Sequence, residues 1–135
     1  MDVAVLPVEV AGRALAVEAS ATREVLGRCE ITRVPGAPTG LAGVIAWRGR
    51  AVAVLDLGVL LGVAQSQERA RTLVLEIGGH AIAIPVDRAR ESCLVTPRPS
   101  QVGHMPHARA EVEIEGRVLP LFDAADWLAS LERPA

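Results

Sequence analysis

Gly43-Val44-Ile45-Ala46-Trp47-Arg48-Gly49-Arg50-Ala51-Val52-Ala53-Val54-Leu55-Asp56-Leu57 sets two β-prone apolar runs around an Arg-Gly pair and ends on an aspartate. The reading is strand, tight turn, strand, then a carboxylate placed to cap a helical turn. Sixty-seven residues later the pattern recurs. Glu111-Val112-Glu113-Ile114-Glu115 alternates carboxylates with β-branched residues, Gly116-Arg117 turns the chain, and Val118-Leu119-Pro120-Leu121-Phe122 returns it to Asp123. Pro120 cannot donate to a ladder, so it predicts an edge or a bulge at that point.

The same offset holds along the chain without a gap. Gly12 falls on Gly79, Arg23-Glu24 on Arg90-Glu91, Gly49-Arg50 on Gly116-Arg117 and Asp56 on Asp123. Self-similarity at one spacing predicts two copies of one supersecondary unit, here within a single domain of residues 1–135 whose halves, about 1–67 and 68–135, are free to interleave. Gln65-Ser66-Gln67-Glu68-Arg69 is the polar run between them. Short strands, glycine turns and duplication predict a mainly β fold of two small antiparallel barrels packed together.

Helical signal is sparse. Residues 20–26 and 87–93 each predict a turn or two of helix, with Ser20 and Asp87 as N-caps. Residues 123–131 predict a terminal helix that begins on Asp123 and puts Trp127, Leu128 and Leu131 on one face. Gly58 shortens its counterpart after Asp56.

Composition narrows the function. A formal charge of −2 argues against non-specific nucleic-acid binding, which needs a basic surface to displace counterions. The longest apolar runs are strand-sized, far below the ~20 residues that span a bilayer, so no direct membrane insertion is expected. Met1-Asp2 opens without a basic region, which predicts a cytoplasmic protein. Cys29 and Cys93 are too far apart in sequence for a metal-type pair and are expected as reduced thiols.

No catalytic constellation emerges. His104-Met105-Pro106-His107 has a spacing open to two zinc ligands, but structural zinc needs four and catalytic zinc usually three. No metal, cofactor or phosphate-binding loop is expected, and no enzyme activity. Asp56 and Asp123, present in both copies at the same point, read as caps and not as bases. Trp47 stands apart because Arg48 and Arg50 flank it at a hairpin tip, and Trp and Arg are the side chains most enriched at binding hot spots. Packing on the barrel is an equally good reading of the indole.

Residues 11–18 (Ala-Gly-Arg-Ala-Leu-Ala-Val-Glu), Thr22-Arg23-Glu24-Val25-Leu26, Ile31-Thr32-Arg33-Val34-Pro35, the 43–57 hairpin and 78–87 together resemble the CheW family of chemotaxis coupling proteins. The resemblance runs over essentially the whole chain. It implies two five-stranded, SH3-like barrels and a non-catalytic adaptor that joins the cytoplasmic tip of chemoreceptors to the histidine kinase CheA within a sensory array. In the family, the groove between the barrels receives the receptor's helical hairpin, and barrel surfaces engage the kinase. Arg48 matches the arginine of the family's Asn-Leu-Arg-Gly hairpin, Gly43 the glycine that opens its strand, and Glu24 the acidic residue of its Val-x-Glu segment. Val25 and Thr32 lie, by resemblance, on stretches bordering the receptor groove, and with Trp47 these are the expected partner contacts.

The chain departs from the family at Ala46-Trp47, which replaces Asn-Leu, at Gly58, where arginine is common, and in a short 94–111 stretch. These departures point to an accessory member that keeps the receptor and binds the kinase weakly or not at all. The alternative is a free-standing β-barrel module that binds a peptide or small molecule outside any array.

Overall fold

The structure, a computed structural model, describes residues 1–63, 68–100 and 105–131. The chain runs through β1 (Val3–Val10), β2 (Arg13–Glu18), a 3-10 turn (Ala19–Ala21), β3 (Thr22–Leu26), β4 (Thr32–Arg33), β5 (Leu41–Trp47), β6 (Arg50–Leu55) and α1 (Leu57–Leu60). It continues through β7 (Arg71–Ile77), β8 (His80–Val86), β9 (Arg88–Ala89), β10 (Cys93–Val95), β11 (Arg98–Pro99), β12 (Ala110–Ile114), β13 (Arg117–Phe122) and α2 (Ala124–Leu131). The fold is mainly β, in two sheets, with the predicted helix at its end.

Sheet 1 has the order β10-β1-β2-β13-β12-β11, with β9 also on β1, and sheet 2 the order β3-β7-β8-β6-β5-β4. In each, five strands carry the sheet and two-residue strands extend it. The halves exchange hairpins. Sheet 1 takes β1 and β2 from the first half and β9 to β13 from the second; sheet 2 takes β3 to β6 from the first and β7 and β8 from the second. The exchange is made by two short parallel pairings, Ala16 with Leu121 in sheet 1 and Ala83 with Val54 in sheet 2, which are the same pair at the offset of 67.

Four hairpins form where the sequence places glycine. Ala11, Arg48 and Glu115 precede Gly12, Gly49 and Gly116 with φ of 52°, 47° and 50°, and Gly78-Gly79 is positive at both positions. Two consecutive positive φ values make a turn whose twist matches the strands it joins.

Each strand proline sits where one flank has no strand pairing, although the Pro7 carbonyl accepts the Arg90 N–H at 2.9 Å. β2 joins β13 only from Leu121 onward, one residue past Pro120. β6 pairs β8 at Ile82 and Ala83, short of Pro85. Pro7 falls between the β9 pairing at Val8 and the β10 pairing at Val5. A missing N–H costs nothing at such positions.

The two early helical segments are corrected by the structure. Thr22–Leu26 is strand β3 after a single 3-10 turn, and 87–93 holds two short strands, β9 and the start of β10. Thr22 and Val25 are β-branched, and pairing of β3 along β7 outweighs a local capping signal. Asp87 caps no helix. Its Oδ1 and Oδ2 accept from Arg69 Nη1 at 3.0 and 2.9 Å, and Oδ2 also accepts the Ala11 N–H at 2.7 Å.

The aspartates after β6 and β13 do cap. Asp56 Oδ1 accepts the Gly58 N–H at 2.9 Å, and Asp123 Oδ1 the Asp126 N–H at 3.0 Å. The second cap starts α2, which buries Trp127 and packs Leu128 and Leu131 against the core.

That core has three parts. The largest joins both sheets: Val8, Leu15 and Phe122 of sheet 1 meet Leu55, Leu73 and Ile84 of sheet 2, with Trp127 among them. The other two are the barrel interiors, and they are repeat images of each other. Ile45, Val52, Val54 and Ala83 fill sheet 2; Val112, Leu119, Leu121 and Ala16 fill sheet 1 at the corresponding positions.

Candidate partner-binding site

Three of the six residues singled out in the sequence meet at one end of sheet 2. Trp47, last in β5, points into the barrel and is only 5% exposed. Its Nε1–H donates to Glu24 Oε1 at 3.1 Å, and Arg48 Nη2 donates to the same oxygen at 3.2 Å. The guanidinium carbons of Arg48 and Arg50 lie 4.8 and 5.2 Å from the indole centroid. Glu76 on β7 closes the ring of charges, with Arg50 Nη2 at 3.6 Å and Arg23 Nε at 3.7 Å.

The sequence left Trp47 open between packing and contact. The indole packs, and it forms a base on which an arginine is presented. Arg48 keeps 69% of its side chain exposed while Glu24 fixes one guanidinium nitrogen. A surface ion pair of this kind contributes only about 0–1 kcal/mol, so its worth lies in aiming the cation. Trp47→Phe should lower stability by about 1–2 kcal/mol, from lost contact area and the lost indole hydrogen bond. Thermal unfolding followed by fluorescence of the remaining Trp127 checks this.

Gly43 has a different part. A β-bulge interrupts the β5–β6 register between Leu41 and Gly43, and β4 passes directly over the glycine. A Cβ there would stand 2.1 Å from the Thr32 carbonyl oxygen. Gly43 therefore sets the path of β4 and the display of Thr32, which is exposed beside it. Val25 is exposed on β3, at the opposite end of the strand order.

Between the sheets lies a mostly apolar cavity of about 500 Å³, lined by Val17 and Ala21 from the first hairpin and its turn, Leu75 and Ile77 of β7, and Phe122 and Ala125 at α2. None of the six residues lines it. Sequence reasoning placed a seam between the two copies but not its walls, because the walls come from strands that the copies exchange.

His107, half of the histidine pair, is accounted for structurally. Its Nδ1 lies 2.8 Å from Asp126 Oδ2, and its carbonyl accepts the Asp123 N–H, so it ties the preceding loop to α2. His104 lies outside the described residues. Among the described residues no group of three or more His, Cys, Asp or Glu side chains is arranged to hold a metal ion. Cys29 and Cys93 are free thiols. No helix among the described residues is long and apolar enough to cross a membrane.

Comparison with known proteins agrees with this architecture. The chain is 27% identical over 124 residues to a chemotaxis protein CheW from Rhizobium meliloti (strain 1021), an alignment covering 85% of this chain and 80% of the relative. Its fold matches the crystal structure of the scaffolding protein TtCheW from Thermoanaerobacter tengcongensis with a TM-score of 0.77, at 20% identity, over 91% of this chain and 90% of that one. The CheW-like domain model matches residues 4–132, and the chain belongs to that family.

Proposed function

We propose that this protein is a non-catalytic adaptor that couples the cytoplasmic tip of chemoreceptors to a CheA-type histidine kinase, acting in the cytoplasm at receptor arrays. The observation that carries the reading is Arg48: a mostly exposed cation on a positive-φ turn, steadied from below by Trp47 and from the side by Glu24. Such an arrangement spends little stability and presents a directional donor, which suits recognition of a partner's carboxylate or carbonyl. Glu24 adjoins it, and Val25 and Thr32 are further contacts on β3 and β4, with Gly43 supporting Thr32. The mostly apolar inter-sheet cavity, at about 500 Å³, has the volume and character to accept side chains of a helical hairpin laid along the seam.

The finer reading is an accessory member that keeps the receptor and binds the kinase weakly. Ala46-Trp47 in place of Asn-Leu favours it: with Trp47 buried and Ala46 small, the strand beside Arg48 offers less polar and apolar surface to a second partner.

Arg48→Glu tests the adaptor role. Binding to a receptor signalling-tip fragment, measured by calorimetry, should fall at least about tenfold, while the melting temperature changes by only a few degrees because hairpin-tip charges contribute less than about 1 kcal/mol. Unchanged receptor binding would remove Arg48 from the interface. Micromolar binding of the unmodified protein to the kinase regulatory domain would overturn the accessory reading and leave the adaptor role standing.

A further inference from the structure

The barrel end that Trp47 closes in sheet 2 stands open in sheet 1. A cavity of about 560 Å³ there is lined by Pro7, Glu9, Glu91, Cys93, Ile114 and Arg117, with Glu115 at its rim. Residue by residue this is the Trp47 site displaced by 67: Ile114 replaces Trp47, Glu115 replaces Arg48, Arg117 replaces Arg50, Glu91 replaces Glu24 and Glu9 replaces Glu76. The strand registers confirm the equivalence. Thr22 with Leu75 corresponds to Ala89 with Val8, and Leu26 with Thr72 to Cys93 with Val5. Pro7, standing where sheet 2 has Val74, has no N–H to give that ladder; its carbonyl still accepts the Arg90 N–H at 2.9 Å, and residues 90–92 belong to no strand.

Around the cavity most of the indole's setting is present without the indole. Arg90 Nη2 pairs with Glu9 Oε2 at 3.0 Å, as Arg23 pairs with Glu76. Arg117 has no ion pair among the described residues, whereas Arg50 is shared between Glu76 and the Trp47 ring. Glu91 and Glu115 likewise have no ionic partner among the described residues, and they are acidic where the filled site joins an acid to an arginine. Ile114 is partly buried against the sheet 1 interior and is much smaller than the indole that closes the other barrel.

We propose that this open barrel end is a docking site for an aromatic side chain followed by an arginine, presented by a different protein. The aromatic ring takes the place that Trp47 takes in sheet 2, with Glu91 accepting its N–H and Arg117 against its face, and the arginine bridges Glu91 and Glu115. The charge pattern requires the cation, since two carboxylates lie where one acid and one arginine lie in the filled copy. A second copy of this chain has nothing to offer: its two tryptophans and one phenylalanine are Trp47, Trp127 and Phe122, all buried, and it contains no tyrosine. The site is separate from the Arg48 hairpin and from the inter-sheet cavity, so it stands whether or not those bind receptor.

The probe is a cyclised peptide of sequence Ala-Trp-Arg-Gly-Arg-Ala, the chain's own 46–51 tip, titrated into isotope-labelled full-length protein and followed by amide chemical shifts. Saturable shifts should appear at Glu91, Ser92, Cys93, Glu115 and Arg117, with a dissociation constant below about 1 mM. Changing the peptide's Trp to Ala should weaken binding about tenfold, as expected for an aromatic anchor. Ile114→Trp in the protein should fill the cavity in cis and abolish the shifts. Glu91→Ala, an exposed change that leaves the core intact, should weaken binding at least about threefold and covers the case in which Ile114→Trp fails to fold. The proposal is overturned by the absence of saturable shifts at those residues, by equal binding of the Trp-to-Ala peptide, or by shifts centred on the inter-sheet cavity.

Discussion

Gly43→Ala lowers the melting temperature by about 10 °C or more. The added methyl would lie 2.1 Å from the Thr32 oxygen, 2.9 Å from its carbonyl carbon and 3.0 Å from Arg33 Cα. All three are backbone atoms, so no rotamer change relieves the clash. Either β4 lifts from β5 or the bulge at 42–43 straightens, and because the Arg48-Gly49 turn holds Trp47 opposite Arg50, straightening would slip Leu41 by one position from Leu55 and turn it to the other face. A cost of about 3 kcal/mol or more follows from overpacking combined with an unfavourable backbone angle. For a chain of this size that amounts to the stated fall in melting temperature. Differential scanning calorimetry decides it, and an unchanged melting temperature would mean that β4 does not cross at that distance. The repeat supplies the control: the corresponding residue, Ala110, already carries a Cβ, because the β12–β13 pairing has no bulge.

Asp87→Ala should cost about 2 kcal/mol. Arg69 is 8% exposed at its side chain and has both Asp87 oxygens as partners, so removing them leaves a buried cation uncompensated. A fully buried pair would cost more, but Asp87 is itself 44% exposed and water reaches the gap. Loss of the acceptor for the Ala11 N–H also loosens the β1–β2 hairpin tip. Adding Arg69→Met to Asp87→Ala should recover part of the loss, since an apolar side chain of similar length needs no counter-charge. Urea denaturation of the single and double variants measures both effects, and no recovery in the double variant would show that the hairpin contact, not the buried charge, carries the cost.

Much of the fold could be read along the chain because its determinants are local. Arg48-Gly49 and Glu115-Gly116 specify their turns by backbone preference alone, and the alternation through Glu111–Ile114 assigns faces without knowledge of a partner. Asp56 and Asp123 work the same way, each capping within two or three residues of itself. β3 was misread for the complementary reason. Ser20, Ala21, Glu24 and Leu26 suit a helix locally, and only the distant β7 makes them a strand. Exchange of hairpins between the halves is likewise invisible in a sequence whose two copies would satisfy either arrangement.

The site divides along the same line. Trp47, Arg48 and Glu24 were legible as notable residues, yet their shared hydrogen-bonding oxygen depends on how sheet 2 curls. The role of Gly43 as the floor beneath β4 rests on a distance of closest approach, which no pattern of residue types encodes. The contrast between Trp47-Arg48 and Ile114-Glu115 was plain in the sequence, but only the cavity at the second position turns that contrast into a place.

The hairpin exchange also bears on how the molecule comes into being. As the chain is synthesised, β1 and β2 emerge first, yet β2 gains its outer neighbour only when β13 arrives more than a hundred residues later. Sheet 2 reaches its final strand order once β8 exists, so the second sheet in space is the first that can be completed in time. Long-range pairing of this kind slows folding and leaves an early edge unpaired. Pro7, in the middle of β1, then has a further use: it denies a donor to any stray strand that would pair with that edge before β9 and β10 come to flank it.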